Sequence, residues 1–231
     1  MITKQVKLYE PLYWSREKAL TIRIVMLCVL VTACFMATFK LGLYRFAYLT
    51  VQAELLMIVY TVTAILHYQL NDDRDVFLTR FKGVVMHLVL SIQLNVALLY
   101  WMFMVPRHWE KIRSLSPMDG RIEFTYSLIA HGFLPLYVWF NLATERTNLK
   151  YSNISYLIVY CCLYWTLNFL VSLSKGSPVY PGINWKNSDS LLKVIASILV
   201  SCLGFYLAAY LSQSMNQRLG FFRPTLRTNN C

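Results

Sequence analysis

Three polar side chains within apolar stretches of this chain, Thr50, Glu54 and His131, have types and spacing that could support chemistry. Thr50 and Glu54 are four residues apart in the stretch Phe46–Tyr68, so on a helix they share one face. A hydroxyl, an imidazole and a carboxylate can serve as nucleophile, general base and orienting acid. The same residue types also fit a structural role, since an intramembrane Thr often bonds its own backbone carbonyl. The amides that could pair with Glu54 are Gln93, Asn95 and Asn168.

The composition indicates a membrane protein. Hydrophobic residues make up 57% of the 231 residues and charged residues only 14%, against about 25% charged in a typical soluble domain. The net charge is +11, but the cations are scattered over short loops and both tails, where they can meet anionic lipid head groups. No basic helix or basic-aromatic surface appears, so we expect no nucleic-acid partner.

The apolar residues are gathered into six runs, each long enough to cross a bilayer as a helix. The predicted spans are Ala19–Phe39, Phe46–Tyr68, Gly83–Val105, Phe124–Ala143, Ile154–Leu173 and Leu191–Ser212. The predicted fold is therefore an all-α polytopic transmembrane bundle of about six spans, forming a single domain over residues 1–231.

The connections between the predicted spans are short. The longest, Pro106–Glu123, contains His108 and is predicted to be a loop with turns at Pro117 and Gly120. The connection before the last span has two Gly and two Pro residues, too many helix breakers for a helix. Six spans put both termini on the same side of the membrane. The tails and connections on that side carry 13 of the 22 Lys and Arg residues, which predicts that tails 1–18 and 213–231 are cytoplasmic.

With alternating spans, the second and fourth spans begin at the same membrane face. At a rise of 1.5 Å per residue, Thr50, His131 and Glu54 would lie about 6, 10 and 12 Å below that face. Gly132 and Pro135 follow His131 and are predicted to loosen or kink the fourth helix. The three polar residues are therefore expected at similar depth in one leaflet.

Three short motifs resemble one family of membrane enzymes. They are Tyr48-Leu49-Thr50, Ala130-His131-Gly132 with Pro135, and Gly176-Ser177-Pro178-Val179-Tyr180-Pro181. Together they resemble the androgen-induced protein family, multi-pass membrane hydrolases that cleave fatty acid esters of hydroxy fatty acids. The segment from Tyr180 to Trp185 is also similar to the related rolling-stone group.

The resemblance implies that Thr50 is the catalytic nucleophile and His131 the catalytic base. Animal members of the family have two histidines here, one before the glycine and a catalytic one just after it, whereas this chain has only His131, before Gly132. Either His131 serves as the base with a small register shift, or the base is missing and the chain is not an active hydrolase. Glu54 is the possible orienting acid. The expected substrate is a lipid ester at the bilayer, with no cofactor and no metal.

Two other functions remain as alternatives: a non-catalytic membrane scaffold or developmental factor, and a small-solute transporter. The transporter would use Glu54, His131, Gln93 and Asn95 to line a polar path. The endoplasmic reticulum membrane is the expected location, with the plasma membrane as the alternative.

Overall fold

The computed structural model describes residues 16–41, 46–70, 76–144, 149–180 and 183–218. None of these residues forms a strand, and the all-α prediction is confirmed. The helices are α1 (Arg16–Leu41), α2 (Leu49–Leu70), α3 (Val76–Leu99), α4 (Val105–Ser114), α5 (Pro117–Leu128), α6 (Leu134–Thr144), α7 (Ile154–Lys175) and α8 (Ser188–Arg218). Single π-helical turns, Tyr100–Met104 and Ile129–Phe133, join α3 to α4 and α5 to α6.

Five of the helices described are long and apolar enough to cross a membrane: α1, α2, α3, α7 and α8. This agrees with a multi-pass membrane protein. The predicted fourth span, Phe124–Ala143, is not among these five helices; it runs from α5 through the π turn Ile129–Phe133 into α6. Gly132 lies within that turn and Pro135 follows it, as expected for a loosened helix.

The predicted loop Pro106–Glu123 is wrong, because this segment forms α4 and the first half of α5. Pro117 stands at the first position of α5, where the N–H has no acceptor within the helix. Pro106 lies in the first turn of α4, directly after the π turn Tyr100–Met104. Ser116 caps α5 by accepting a hydrogen bond of 3.2 Å from the Asp119 N–H. Gly120 lies inside α5, against the backbone oxygen of Ile112. The two short helices thus form a hairpin, and His108 is helical.

Helix α3 packs most extensively against α2 and α8 and lies at the centre of the bundle. A Cβ added to Gly204 of α8 would lie 3.3 Å from the Ser91 Cα, so the two backbones approach closely. Nearby, the Asn95 amide donates to the hydroxyl groups of Ser197 and Ser201, both at 2.8 Å. Small residues and interhelical hydrogen bonds of this kind hold helices together in lipid.

Both predicted tails lie mostly outside the described residues. Only Arg16 to Lys18 of the N-terminal tail are described, and they begin α1. The C-terminal tail was predicted from residue 213, but α8 continues to Arg218. Helix α7 ends at Gly176, whose φ of 65° favours glycine, and the described part of the segment that follows is non-helical as far as Ser188.

Candidate functional site

The first turn of α2, which carries Thr50, is tied to the segment between α7 and α8. The Leu49 N–H donates a hydrogen bond of 2.7 Å to the hydroxyl of Tyr180. This N–H is one of the first of the helix, which have no partner within the helix itself. The Tyr164 hydroxyl of α7 lies 3.1 Å from both the Tyr180 hydroxyl and the Ala47 carbonyl. The start of α2 is thereby fixed, and Thr50 is half-buried there.

Glu54 is fully buried one turn further along α2. The Tyr126 hydroxyl of α5 donates a hydrogen bond of 2.8 Å to the Glu54 carboxylate. The amides predicted as partners bond elsewhere, Gln93 to Met57, Asn95 to Ser197 and Ser201, and Asn168 to Ala47. The partner shown for the buried carboxylate is therefore a phenol from α5.

His131 lies in the π turn Ile129–Phe133. The side chains that contact it belong to the π turn Tyr100–Met104, which follows α3. Its ring stacks on that of Tyr100, with centroids 3.7 Å apart and planes at 4°. The Trp101 indole N–H donates to the His131 carbonyl at 2.8 Å. Pro135, four residues on, has no N–H to give to that carbonyl, so the indole takes the place of the missing donor. Within the described residues, the buried Nδ1 of His131 has no hydrogen-bond partner.

The packing of α2 against α3 indicates how deep Thr50 lies. The two helices run antiparallel, as shown by contacts between Met57 and Gln93 and between His67 and Thr79. Thr50 comes seven residues before Met57, and Tyr100 comes seven after Gln93, so both lie at a similar level. His131 stacks on Tyr100, and its π turn packs against both α2 and α3.

No hydrogen bond joins Thr50 or Glu54 to His131 in the described part of the chain. The sequence-based pairing of Thr50 with His131 therefore stays a prediction, with a shared level as the geometry in its favour. His87, in α3, is occupied elsewhere: its Nε2 contacts the Phe205 carbonyl at 3.0 Å and its ring stacks on Phe205.

A second group of polar residues lies between α4 and α5, and sequence reasoning missed it. The Ser127 Oγ is 2.9 Å from the Nε2 of His108, and that nitrogen is 3.8 Å from the Glu123 carboxylate. Lys111 pairs with the same carboxylate at 3.2 Å. His108 and Lys111 are three residues apart and Glu123 and Ser127 four apart, so each pair shares one face of a helix. The sequence did not reveal this, because the segment was predicted to be a loop.

Burial lowers the pKa of His108. The Glu123 carboxylate acts in the opposite direction, and the Lys111 ammonium adds to the lowering. His108 is therefore a neutral imidazole near pH 7, with one ring nitrogen able to accept a proton.

Ser127 and His108 line a cavity of about 490 Å³ between the end of α3, α4 and α5. Its other walls are mainly apolar and aromatic, and they include Tyr100, Trp101, Val105, Trp109, Phe124 and Leu128. A mostly apolar cavity with a few convergent polar groups is the usual form of a small-molecule site. Across the described residues, no three His, Cys, Asp or Glu side chains group closely enough to hold a metal ion.

Comparisons with known proteins do not assign this chain to a family: no family model, curated protein or solved structure matches it. The likeness to the androgen-induced protein family therefore rests on the short motifs alone.

Proposed function

We propose that this protein is an integral membrane hydrolase of lipid esters, with Thr50 as nucleophile and His131 as general base. The observation that carries the proposal is the placement of His131. Its ring is held against Tyr100, at the level of Thr50, in a turn that packs against the helix carrying Thr50. A buried imidazole nitrogen without a hydrogen-bond partner in the described residues is available there for proton transfer.

The proposed reaction proceeds through an acyl-enzyme. The Thr50 Oγ1 attacks the ester carbonyl carbon while His131 takes the hydroxyl proton. The ester C–O bond then breaks, and the leaving alkoxide receives that proton from His131. Water attacks the acyl-threonine next: His131 takes a proton from the water and returns it to the Thr50 oxygen as the acyl–oxygen bond breaks, and the fatty acid is released.

Glu54 acts in this scheme as a supporting group. Its carboxylate lies one helical turn after Thr50 and is held by Tyr126. A buried carboxylate near the base would stabilise the imidazolium that forms during proton transfer. Carboxylates inside a membrane protein are costly to keep and commonly mark functional positions.

The substrate class follows from the location of the site. Five helices have the length and apolar character of membrane spans, which supports an ester that reaches the site from the bilayer. Fatty acid esters of hydroxy fatty acids, or similar acyl esters, are the proposed substrates. The proposed location is the endoplasmic reticulum membrane, with cytoplasmic termini.

The test is hydrolysis of long-chain acyl esters by the purified full-length protein in lipid nanodiscs. Thr50→Val, which removes only the nucleophilic hydroxyl, and His131→Gln should each lower kcat on the order of 100-fold or more. Thr61→Val is the matched control, because Thr61 lies on the same helix and its hydroxyl bonds the Met57 carbonyl at 2.8 Å. Full activity in Thr50→Val would exclude this mechanism.

The two alternatives predict other results. A non-catalytic scaffold predicts no hydrolysis by the wild-type protein with any acyl ester. A transporter predicts solute uptake into vesicles that responds to Gln93→Leu or Asn95→Leu and not to Thr50→Val.

A further inference from the structure

We infer that Ser127 and His108 form a second acyl-transfer site, which accepts esters of amphiphiles with an apolar acyl chain from the cavity between α4 and α5. The site does not use Thr50 or His131, so it goes beyond the proposed function. The inference rests on a nucleophile and a base at hydrogen-bond distance, a charged pair beside the base, and a cavity that both residues line.

The serine proton has two acceptors within reach. The Ser127 Oγ lies 2.8 Å from the Glu123 carbonyl and 2.9 Å from the His108 Nε2. Rotation about the Cβ–Oγ bond moves the proton from the carbonyl to the imidazole without moving any heavy atom. In the tautomer that carries its proton on Nδ1, neutral His108 accepts the serine proton and Ser127 becomes an activated nucleophile.

The charges around His108 suit an imidazolium that forms and disappears. The Glu123 carboxylate lies 3.8 Å from Nε2 and would stabilise the positive charge. Lys111 holds that carboxylate at 3.2 Å and limits its effect on the resting imidazole. The base is therefore neutral at rest and has a counter-charge nearby when it takes a proton.

The cavity determines the class of substrate. Its walls include Trp109 and Phe124, whose rings contact each other with centroids 5.5 Å apart. Aromatic residues of this kind are typical of the level where lipid meets water. Arg113 also lines the cavity, and its guanidinium lies 5.7 Å from the centre of the Trp109 ring. An apolar acyl chain fits such walls, with the polar part of the ester beside the guanidinium.

Tyr100 is the group placed to assist the reaction. It lines the same cavity, and its ring lies against that of His108, with centroids 5.7 Å apart. A tyrosine hydroxyl can donate to the oxyanion that develops on an attacked carbonyl.

The proposed reaction is ester hydrolysis through an acyl-serine. The Ser127 Oγ bonds to the acyl carbon, the ester C–O bond breaks, and the serine proton passes through His108 to the leaving alcohol. Water then attacks the acyl-serine, His108 takes a proton from the water and returns it to Ser127, and a carboxylic acid leaves. No oxidant, reductant or metal is needed.

The test uses an alkyl fluorophosphonate probe on the purified full-length protein in nanodiscs, with the modified residue mapped by peptide mass spectrometry. The expected adduct is on Ser127, in the wild type and in Thr50→Ala alike. Ser127→Ala should abolish that adduct, and His108→Gln should slow its formation at least tenfold. Ser91→Ala is the matched control, because Ser91 also bonds the carbonyl four residues earlier, but that bond lies in the core of the bundle, away from this cavity.

Three results would overturn the inference: no adduct on Ser127 in the wild type, equal labelling rates in wild type and His108→Gln, or an equal loss of labelling in Ser91→Ala. Mapping in the wild type needs no variant to fold. An adduct on Ser127 without one on Thr50, together with unchanged hydrolysis in Thr50→Val, would support this site while removing the proposed Thr50 mechanism.

Discussion

The indole of Trp101 donates its N–H to the carbonyl of His131 at 2.8 Å, the carbonyl that Pro135 deprives of its usual donor. The hydrogen bond from Trp101 and the missing N–H of Pro135 should therefore be coupled in their effect on stability. Trp101→Phe should lower the free energy of unfolding by about 1 kcal/mol in the wild type. In a Pro135→Ala background, where the N–H is restored, the same change should cost less. Unfolding of all four proteins of this double-mutant cycle in one detergent gives the coupling, and a coupling of zero would refute the compensation.

The Tyr180 hydroxyl should stabilise the start of α2. Tyr180→Phe leaves the Leu49 N–H without its acceptor, which should cost about 1 kcal/mol, as for the loss of a helix cap. Thermal unfolding in detergent measures the loss. Tyr48→Phe is the control, because it keeps the edge-to-face contact with the Tyr180 ring at 5.4 Å and leaves the Leu49 bond in place. Equal melting temperatures for the two variants would contradict the prediction.

The close approach of α3 and α8 should not tolerate a branched side chain at Gly204. A Cβ there would lie 3.0 Å from the Leu94 side chain and 3.3 Å from the Ser91 backbone. Gly204→Val should therefore destabilise the bundle by about 1–3 kcal/mol. Gly83→Ala is the control, since no atom lies within 4 Å of its added Cβ and alanine favours a helix. Comparing the stability of the two variants in detergent decides the matter, and a stable Gly204→Val protein would disprove the close approach.

Labelling of Ser127 should depend on pH through His108. The pKa of His108 is below its ordinary value of 6.5 because burial lowers it and Lys111 adds to that effect, while Glu123 opposes it. The reactive form is neutral, so labelling should fall as the pH is lowered, with a midpoint below pH 6.5. Tyr100 and His131 also lie near this imidazole. Labelling rates across pH for wild type and His131→Gln check the assignment, and a fall centred above pH 7 in both would contradict it.

The long apolar helices could be predicted because their signal is local. Hydrophobic runs of span length correctly predicted α1, α2, α3, α7 and α8. The hairpin of α4 and α5 was missed because its polar sequence and its prolines resemble a loop. Its prolines in fact stand in the first turn of each helix, a position that spacing alone does not reveal.

The candidate site could be predicted only in part. Thr50, Glu54 and His131 were identified by residue type and depth, and a buried carboxylate is conspicuous in an apolar stretch. Their partners were not, because Tyr126 and Tyr100 come from helices whose facing sides are determined by tertiary packing. Ser127 and His108 meet across a hairpin whose two helices the sequence pattern did not indicate, because the segment was predicted to be a loop.

The bond between Leu49 and Tyr180 joins residues 131 positions apart. During synthesis, α2 enters the membrane long before Tyr180 leaves the ribosome. Until the segment after α7 folds back onto α2, the Leu49 N–H must be hydrated or bonded to another group. A chain truncated before Tyr180 would lack the hydroxyl that accepts the Leu49 N–H in the folded protein.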